Sequence, residues 1–236
     1  MLTVATTTVP SPGFWEGTAA HPTGGFEYEL ARALAERFGL GSVRIELVDF
    51  NRIVTGRLGG ADLALDLITP TGEREQFLDF SDPYLDAAPT VVVRSGTAVP
   101  DLATAQDLRW GVVRATTFVN IIADSIGPDH PAKLYGDTDE VLAALQAHAI
   151  DAVLLDMPLA VVTAARSGGR LQAVAQLPTS ESIAAGLPKG SSNVDAVDSA
   201  MRALSADGTT HRLIQTWLGS EAASAQSSIP LLQTTR

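Results

Sequence analysis

The order in which strand-like and helix-like patterns alternate is the feature of this sequence that most restricts its fold. In the first half of the chain, short apolar runs alternate with segments whose apolar residues recur every three or four positions. The first pattern is typical of strands, and the second is typical of amphipathic helices. A βαβαβ order of this kind predicts a largely parallel sheet with helices on its faces. The segments are Leu2–Ala5, the helical face Phe26, Leu30, Leu34 and Phe38, then Val43–Val48, Asn51–Leu58 and Leu63–Leu65.

A second alternation fills the rest of the chain, and its pattern predicts another α/β unit. We therefore predict two lobes: residues 1–94 and 188–236 form the first, and residues 95–187 form the second. Two crossings, near 93–96 and 184–189, would make a hinge beside a cleft. The segments of the second alternation are Val91–Val93, Trp110–Val113, a helix from Thr116 to Ile126, a capped helix at Asp137, Ala152–Leu155, Ile183–Leu187, and helices over Val194–Leu204 and Thr210–Leu218.

The composition excludes several classes of protein. A net charge of -11 over 236 residues argues against general nucleic-acid binding, which needs a basic face. The absence of cysteine excludes a disulfide scaffold, a thiolate metal site and a cysteine nucleophile. The histidines have no metal-ligand spacing, and no phosphate-binding, dinucleotide-binding or nucleophile-elbow motif occurs. We therefore expect no cofactor, no metal site and no nucleic-acid partner.

Membrane and export signals are also missing from the sequence. No apolar run reaches the roughly 20 residues that a membrane-spanning helix needs, so we expect no direct membrane insertion. Met1 leads directly into the first strand, with no signal peptide before it. We therefore expect the chain to be either intracellular or the mature or a trimmed form of an exported protein.

One segment carries a recognisable pattern. Thr69 lies five residues before Arg74, and Asp79 lies five residues after it and opens the run Asp-Phe-Ser-Asp-Pro-Tyr. This pattern resembles that of the solute-binding proteins that serve ABC importers of polar amino acids. Further segments match that family in order and spacing: Gly25–Leu30, Asn51–Ile53, Gly111–Thr117, Asp151–Asp156, Ala206–Thr209 and Trp217–Gly219.

The resemblance covers nearly the whole chain and implies both a fold and a function. The implied fold is the type II periplasmic-binding-protein fold, in which two lobes with mixed, mostly parallel sheets close on a ligand like a clamshell. The implied function is to bind a small amino acid between the lobes and to deliver it to an ABC transporter permease. An extracytoplasmic location follows, in the periplasm or as a cell-surface lipoprotein, and a monomer fits such a shuttle.

The residues that match the family's motifs would form a site for an α-amino acid. Arg74 would bind the carboxylate through two parallel hydrogen bonds, because a guanidinium has the matching fork shape. Thr69 would add a hydroxyl and a backbone group, with Leu67 in the same loop. The backbone N–H groups of Thr116 and Thr117 would also bind the carboxylate, since a helix N-terminus carries partial positive charge.

The opposite charge would come from Asp156, which would accept hydrogen bonds from the ammonium group at the end of a strand, where α/β folds place ligands. The alternative is that Asp156 caps the helix that follows it, which has proline in its first turn. Phe14 and Trp15 would pack on the aliphatic part of the ligand, or else serve ordinary loop packing. Because Arg74 and Asp156 fall in different lobes, a ligand that touches both would stabilise the closed form.

Two positions depart from the family's pattern. Ala115 replaces a glycine before Thr116, and a glycine with positive φ cannot become alanine without strain, so we expect this loop to differ slightly. Asp66 stands where the family has a small or apolar residue near the pocket. It could face a cationic group of the ligand, hold Arg52, or point away from the site.

Arg52 is the best indication of the ligand's side chain. In the members that bind aspartate or glutamate, the resemblance implies that the arginine at this position reaches the side-chain carboxylate. Three cations, Arg52, Arg74 and Arg114, could together hold a dianion despite the acidic surface elsewhere. Asp66 favours a basic or neutral ligand instead. We expect a preference for acidic or amide side chains.

Two other functions stay open. Some relatives of these proteins are cyclohexadienyl dehydratases, which need a general acid; the candidates here are Asp66, Glu16 and Glu181. No motif supports them, so we expect a binding protein without catalytic residues. Similar lobes also form the ligand-sensing input domain of larger receptors. The polar segment Ser220–Ser228 and the apolar residues after it would be either a docked tail or the start of a linker.

Overall fold

The computed structural model describes residues 1–223 and 228–233, which divide into two compact units. Unit 1 consists of Met1–Asp86 and Ser182–Ala223. Unit 2 consists of Ala87–Glu181 and the tail of the chain, whose described residues are 228–233. None of the described helices is both long enough and apolar enough to cross a membrane.

Strands and helices alternate through both units, as the sequence pattern predicts. A short 3₁₀ turn at Arg74–Gln76 and a π turn at Ile122–Ile126 complete the regular structure. The strands are β1 (Leu2–Thr6), β2 (Glu16–Gly17), β3 (Pro22–Gly24), β4 (Val43–Leu47), β5 (Leu63–Ala64), β6 (Leu78–Phe80), β7 (Leu85–Ala87), β8 (Pro89–Arg94), β9 (Trp110–Val113), β10 (Lys133–Tyr135), β11 (Ala152–Asp156), β12 (Leu171–Gln176), β13 (Glu181–Ile183) and β14 (Gly186–Pro188). The helices are α1 (Phe26–Arg37), α2 (Phe50–Ile53), α3 (Leu102–Gln106), α4 (Phe118–Ile121), α5 (Thr138–Gln146), α6 (Met157–Arg166), α7 (Val194–Ala206), α8 (Thr209–Trp217) and α9 (Gly219–Ala223).

The sheet of unit 1 has the strand order β4-β1-β5-β14-β6. β1 pairs in parallel with β4 and β5, whereas β14 is antiparallel to β5 and β6, so only β14 runs against the others. α1 packs on β1 and β4 and buries Phe26, Leu30 and Leu34, the face predicted from the four-residue period. Gly39, which follows the end of α1, has φ 69, the left-handed conformation expected after a helix.

The sheet of unit 2 repeats this plan with the order β10-β9-β11-β8-β12. β9 is parallel to β10 and β11, and β8 is antiparallel to β11 and β12. Trp110 on β9 is 1% exposed at the centre of the core, and its Nε1–H donates to the carbonyl oxygen of Ala105 at 2.8 Å. α5 begins as predicted, because the Asp137 carboxylate accepts from the backbone N–H of Glu140 at 2.8 Å.

The boundaries between the units differ from the predicted ones. β8 pairs with β11 and β12, so the chain has joined the sheet of unit 2 before it reaches residues 93–96. β14 completes the sheet of unit 1, so the chain has already left unit 2 by residues 184–189. The division falls at 86/87 and 181/182 instead. β7 and β13, which contain these two points, form a two-stranded sheet.

The described tail residues belong to unit 2, not to the first lobe as the range 188–236 required. The backbone N–H of Gln176, at the end of β12, donates to the carbonyl oxygen of Pro230 at 2.8 Å. The N–H of Leu232 donates in return to the carbonyl oxygen of Gln176 at 2.7 Å. Leu232 is 3% exposed within the core cluster of unit 2. A docked tail is thus observed here, whereas residues 224–227 of the predicted polar segment lie outside the described residues.

Candidate functional site

At the carboxyl edge of the unit 1 sheet, β1 ends at Thr6 and β5 ends shortly before Asp66. Asp66 Oδ1 accepts from the Thr6 hydroxyl at 2.8 Å and from the Thr7 N–H at 3.2 Å, and Oδ2 accepts from the Thr7 hydroxyl. Desolvation among these neighbours raises the pKa of Asp66, although the hydrogen bonds oppose the rise. Of the expected roles, holding Arg52 is not observed, since no ion pair joins the two side chains.

The next residue, Leu67, has φ 49, a left-handed conformation that is uncommon for a residue with a side chain. Its N–H donates to Oε1 of Glu27 at 3.0 Å. Glu27 is 1% exposed and also accepts from the indole N–H of Trp15 at 2.8 Å and from the hydroxyl of Tyr84. Burial raises the pKa of Glu27 to about 7, and the negative charge of Asp66 adds to the rise.

Arg74, the predicted carboxylate ligand, is 7% exposed and begins the 3₁₀ turn. Its Nη1–H donates to the carbonyl oxygen of Thr69 at 2.7 Å, and its guanidinium carbon lies 5.4 Å from the ring centroid of Phe50. The backbone N–H of Arg74 donates to Thr71 Oγ1 at 3.2 Å. The loop from residue 69 to 74 and the ring of Phe50 thus orient the guanidinium.

Phe14 and Trp15 are both 1% exposed, which matches the alternative of ordinary packing. Their loop covers the start of α1: the carbonyl oxygen of Gly13 accepts from the Phe26 N–H at 2.8 Å, and that of Phe14 accepts from the Glu27 N–H at 3.1 Å. These bonds satisfy N–H groups that the first turn of a helix leaves without partners. A contact between either aromatic ring and a ligand stays a prediction.

The other two predicted cations are exposed. Arg52 lies on α2, and Arg114 lies directly after β9, where its Nε–H donates to the carbonyl oxygen of Tyr135 at 3.2 Å. Within the part of the chain that the structure describes, neither forms an ion pair.

In unit 2 the neighbouring parallel strands β9 and β11 end at the same edge of the sheet. Asp156, the last residue of β11, is 7% exposed. It directly precedes α6, which has proline in its first turn, but its carboxylate makes no capping hydrogen bond to that helix. The capping alternative is therefore not observed. Asp156 holds the strand-end position at which α/β sheets present groups to ligands.

The segment after β9 carries the two predicted threonines. The Thr116 hydroxyl donates to the carbonyl oxygen of Val113 at 2.7 Å, and its N–H donates to the same oxygen at a long 3.4 Å. The Thr117 hydroxyl donates to Oε2 of Glu181 at 3.2 Å, and α4 begins one residue later. Glu181, one of the candidate general acids, therefore lies beside the predicted carboxylate-binding segment.

The remaining candidate acid has a structural partner. Glu16 Oε1 accepts from the backbone N–H of Gly13 at 2.8 Å. Among residues 1–223 and 228–233, no group of three or more histidine, aspartate or glutamate side chains is arranged to hold a metal ion.

Ala115, which stands where the family pattern has glycine, has φ 65, in the left-handed region that favours glycine. Replacing it with glycine is expected to raise the free energy of unfolding by about 1 kcal/mol, because an L-residue is strained in this region. Urea unfolding of Ala115→Gly measures the effect. Ala98→Gly, at an exposed loop position without positive φ, is the control and should lower stability slightly. An Ala115→Gly protein no more stable than the wild type would show that the strain is absent.

Several residues of these two regions are not marked by a local sequence pattern. Phe50 and Tyr84 lie within matched segments or beside them, but only the folded chain brings Phe50 to Arg74 and Tyr84 to Glu27. Glu27 had a signal, since it is the first acidic residue of the matched segment Gly25–Leu30. Its burial beside Asp66 is a long-range fact that the local pattern does not contain.

Comparison with known proteins gives a family and a set of relatives. The sequence profile of the bacterial extracellular solute-binding proteins, family 3, matches residues 2–220. The arginine-binding extracellular protein ArtP of Bacillus subtilis is 35% identical over 89 residues, which are 37% of this chain and 34% of ArtP. The L-cystine-binding protein TcyJ of Escherichia coli is 26% identical over 210 residues, 84% of this chain and 75% of TcyJ.

One enzyme is also among the relatives. The membrane-bound lytic murein transglycosylase F of Pseudomonas fluorescens is 30% identical over 141 residues, 57% of this chain and 28% of that protein. The chain thus spans about a third of the length of ArtP and less of the transglycosylase.

Among solved structures, an ancestral arginine-binding protein bound to glutamine is similar, with a TM-score of 0.81 and 25% identity. The match covers 93% of this chain and 98% of the ancestral protein. The predicted two-lobe periplasmic-binding-protein fold with mixed, mostly parallel sheets is confirmed.

Proposed function

Since the chain belongs to the bacterial extracellular solute-binding proteins of family 3, we propose that it binds a small α-amino acid and delivers it to the permease of an ABC transporter. The observation that carries the proposal is the pair Arg74 and Asp156. Each is 7% exposed, each lies in a different unit, and their charges match the two charged groups of a zwitterion. Relatives that bind arginine or cystine support an amino-acid ligand.

In this proposal the ligand connects the two units. Arg74 and the Thr69 loop bind the carboxylate from unit 1, while the backbone N–H groups of Thr116 and Thr117 bind it from unit 2. Asp156 accepts from the ammonium group. Because neither unit supplies all of these contacts, the ligand stabilises the arrangement in which both sets are made at once.

For the side chain we propose an amide or acidic group. Arg52 is an exposed cation on unit 1 and can donate to an amide or carboxylate oxygen. Asp66, which is partly buried, can accept from an amide NH₂ but repels a carboxylate. This makes glutamine and asparagine the first candidates, with glutamate and aspartate next. The competing possibility is a ligand with a basic side chain, which would be bound by Asp66.

A binding panel tests the function and the side-chain preference together. The protein is unfolded to remove any bound ligand, refolded, and heated with each common amino acid. A ligand at a hundred times its Kd stabilises the folded protein by about 2.7 kcal/mol, which raises the melting midpoint measurably. We expect the largest rise with an amide or acidic amino acid, weakened by Arg52→Ala. A rise with arginine or lysine that Asp66→Asn removes would replace this preference. No rise with any amino acid, in correctly refolded protein, would contradict the proposed function.

We further propose that the protein is an extracytoplasmic, monomeric binder and not an enzyme. Glu16 and Glu181, two of the three candidate acids, accept hydrogen bonds within their own units. The dehydratase possibility is checked by incubating the protein with prephenate and arogenate and following their loss. Turnover abolished by Glu181→Gln or Asp66→Asn would establish an enzyme in place of a binder. A role as the input domain of a larger receptor predicts the same binding results. The coding sequence on either side of this segment in the full gene distinguishes that role.

A further inference from the structure

Glu27 is a buried acid that the proposed ligand contacts do not use. Its side chain is 1% exposed on α1, yet donors from three other segments of unit 1 meet on its carboxylate. Oε1 accepts from the Leu67 N–H at 3.0 Å and from the Tyr84 hydroxyl, while Oε2 accepts from the Trp15 indole N–H at 2.8 Å. One carboxylate thus joins the loop that holds Phe14 and Trp15 (the aromatic loop), the segment after β5 and the residue before β7.

We propose that Glu27 is a positioning residue for ligand binding, and that taking up a proton on its carboxylate weakens that binding. The inference rests on the proposed function, because the segment from Asp66 to Thr69 is part of the proposed ligand site. Leu67 holds that segment in a left-handed conformation, with φ 49. Since this conformation is unfavourable for a residue with a side chain, it needs a fixed partner, and the Glu27 carboxylate is that partner.

The hydrogen-bonding capacity of the three donors sets the effect of a proton. An ionised carboxylate accepts from all of them, whereas a protonated one must donate its own hydrogen. The Leu67 and Trp15 N–H groups cannot accept, so the proton can only be donated to the oxygen of Tyr84. That places it on Oε1, and the Leu67 N–H then faces a hydroxyl oxygen, which is a weaker acceptor than a carboxylate.

The neighbours of Glu27 shift the pKa of its carboxyl group in both directions. Burial and the negative charge of Asp66 raise its pKa, and the hydrogen bonds from Tyr84, Leu67 and Trp15 lower it, which leaves it at about 7. On the aromatic loop, Glu16 bonds to a backbone N–H, and on α1 the ring of Tyr28 lies 6.2 Å from that of Trp15. Because Glu27 and Asp66 interact, the observed midpoint belongs to the pair.

The ligand affinity should therefore depend on pH near neutrality. The Kd for the best amino acid of the panel, measured by titration calorimetry, is expected to rise about tenfold from pH 8 to pH 6, the scale of one weakened charge-assisted hydrogen bond. Glu27→Gln should bind weakly at both pH values, without the slope. Glu29→Gln removes the same charge two residues along α1, where Glu29 pairs with Arg32, and should keep the wild-type profile.

A second variant separates positioning from general stability. Tyr84→Phe removes the hydrogen bond of both forms of Glu27, but the bond to the ionised carboxylate is the stronger of the two, so the midpoint of the Kd profile should move to higher pH while binding persists. A wild-type pH slope that survives in Glu27→Gln would overturn the inference. So would a midpoint that Tyr84→Phe leaves in place.

The Leu67 amide gives a readout that needs no ligand. Its ¹H–¹⁵N resonance in the free protein should titrate with a midpoint of about 7, and this step near neutrality should be absent in Glu27→Gln. If an amino acid binds but this resonance does not titrate, the inference fails and the proposed function stands. If the resonance titrates but no amino acid binds, the proposed function fails, and a role of Glu27 in ligand binding fails with it.

Discussion

Arg74→Ala is expected to raise the Kd for the preferred amino acid by about a hundredfold or more. Arg74 is 7% exposed and its guanidinium is oriented by Thr69 and Phe50, so a carboxylate bound there would be largely desolvated. Removing one partner of such a pair costs about 2–5 kcal/mol, because the other charge is left without compensation. Titration calorimetry at constant pH measures the loss. Arg74→Lys keeps the positive charge but cannot form two parallel hydrogen bonds to the carboxylate, so it should recover only part of the affinity.

Two controls test whether the effect concerns the ligand's carboxylate. Arg32→Ala removes an exposed arginine of the same unit, ion-paired with Glu29, and should leave the Kd unchanged. An amino-acid amide, which lacks the carboxylate, should bind weakly to the wild type and no more weakly to Arg74→Ala. The melting midpoint of each variant without ligand shows that it is folded. Full affinity in folded Arg74→Ala would remove this residue from the site.

Asp156→Asn is expected to weaken binding by about ten- to a hundredfold. The substitution keeps the size of the side chain but removes the negative charge that we propose faces the ammonium group, and a charged hydrogen bond contributes about 1.5–3 kcal/mol. Asp156 is 7% exposed, so water replaces the lost interaction poorly. Calorimetry with the preferred amino acid gives the Kd of both proteins.

The α-hydroxy acid that corresponds to the amino acid identifies the group that Asp156 contacts. It has no ammonium, so Asp156→Asn should bind it as well as the wild type does, or better. Asp101→Asn is the matched control in unit 2. There the aspartate caps α3 by accepting from the Thr104 N–H at 2.8 Å, and asparagine caps equally well. Equal losses for the amino acid and the hydroxy acid would assign Asp156 a structural role.

The elements that were predicted well are those with a strong local period. The face formed by Phe26, Leu30 and Leu34 gave α1, and β9 was located correctly at Trp110–Val113. Other elements were set by distant partners. The predicted helix Asn51–Leu58 is only α2, four residues long, and the predicted strand Ile183–Leu187 divides between β13 and β14. β12 was not predicted, because its burial depends on pairing with β8.

The candidate site follows the same rule. Arg74 and Asp156 were identified from motifs, and the structure holds both at buried positions. Phe14 and Trp15 illustrate the limit of that reasoning. Adjacent aromatic residues in a loop are equally consistent with a ligand contact and with ordinary packing in the core. Only the hydrogen bonds from the first turn of α1 to the carbonyl groups of this loop show how it packs.

The docked tail affects how readily copies of this protein can associate with one another. β12 is the outermost strand of its sheet, and an outer strand with free N–H and carbonyl groups is a template on which another chain can add a strand. Here Gln176 directs both of its backbone groups to Pro230 and Leu232 of the same chain. The position that a neighbouring strand would occupy beside Gln176 is already filled from within, which hinders strand addition at this end of β12.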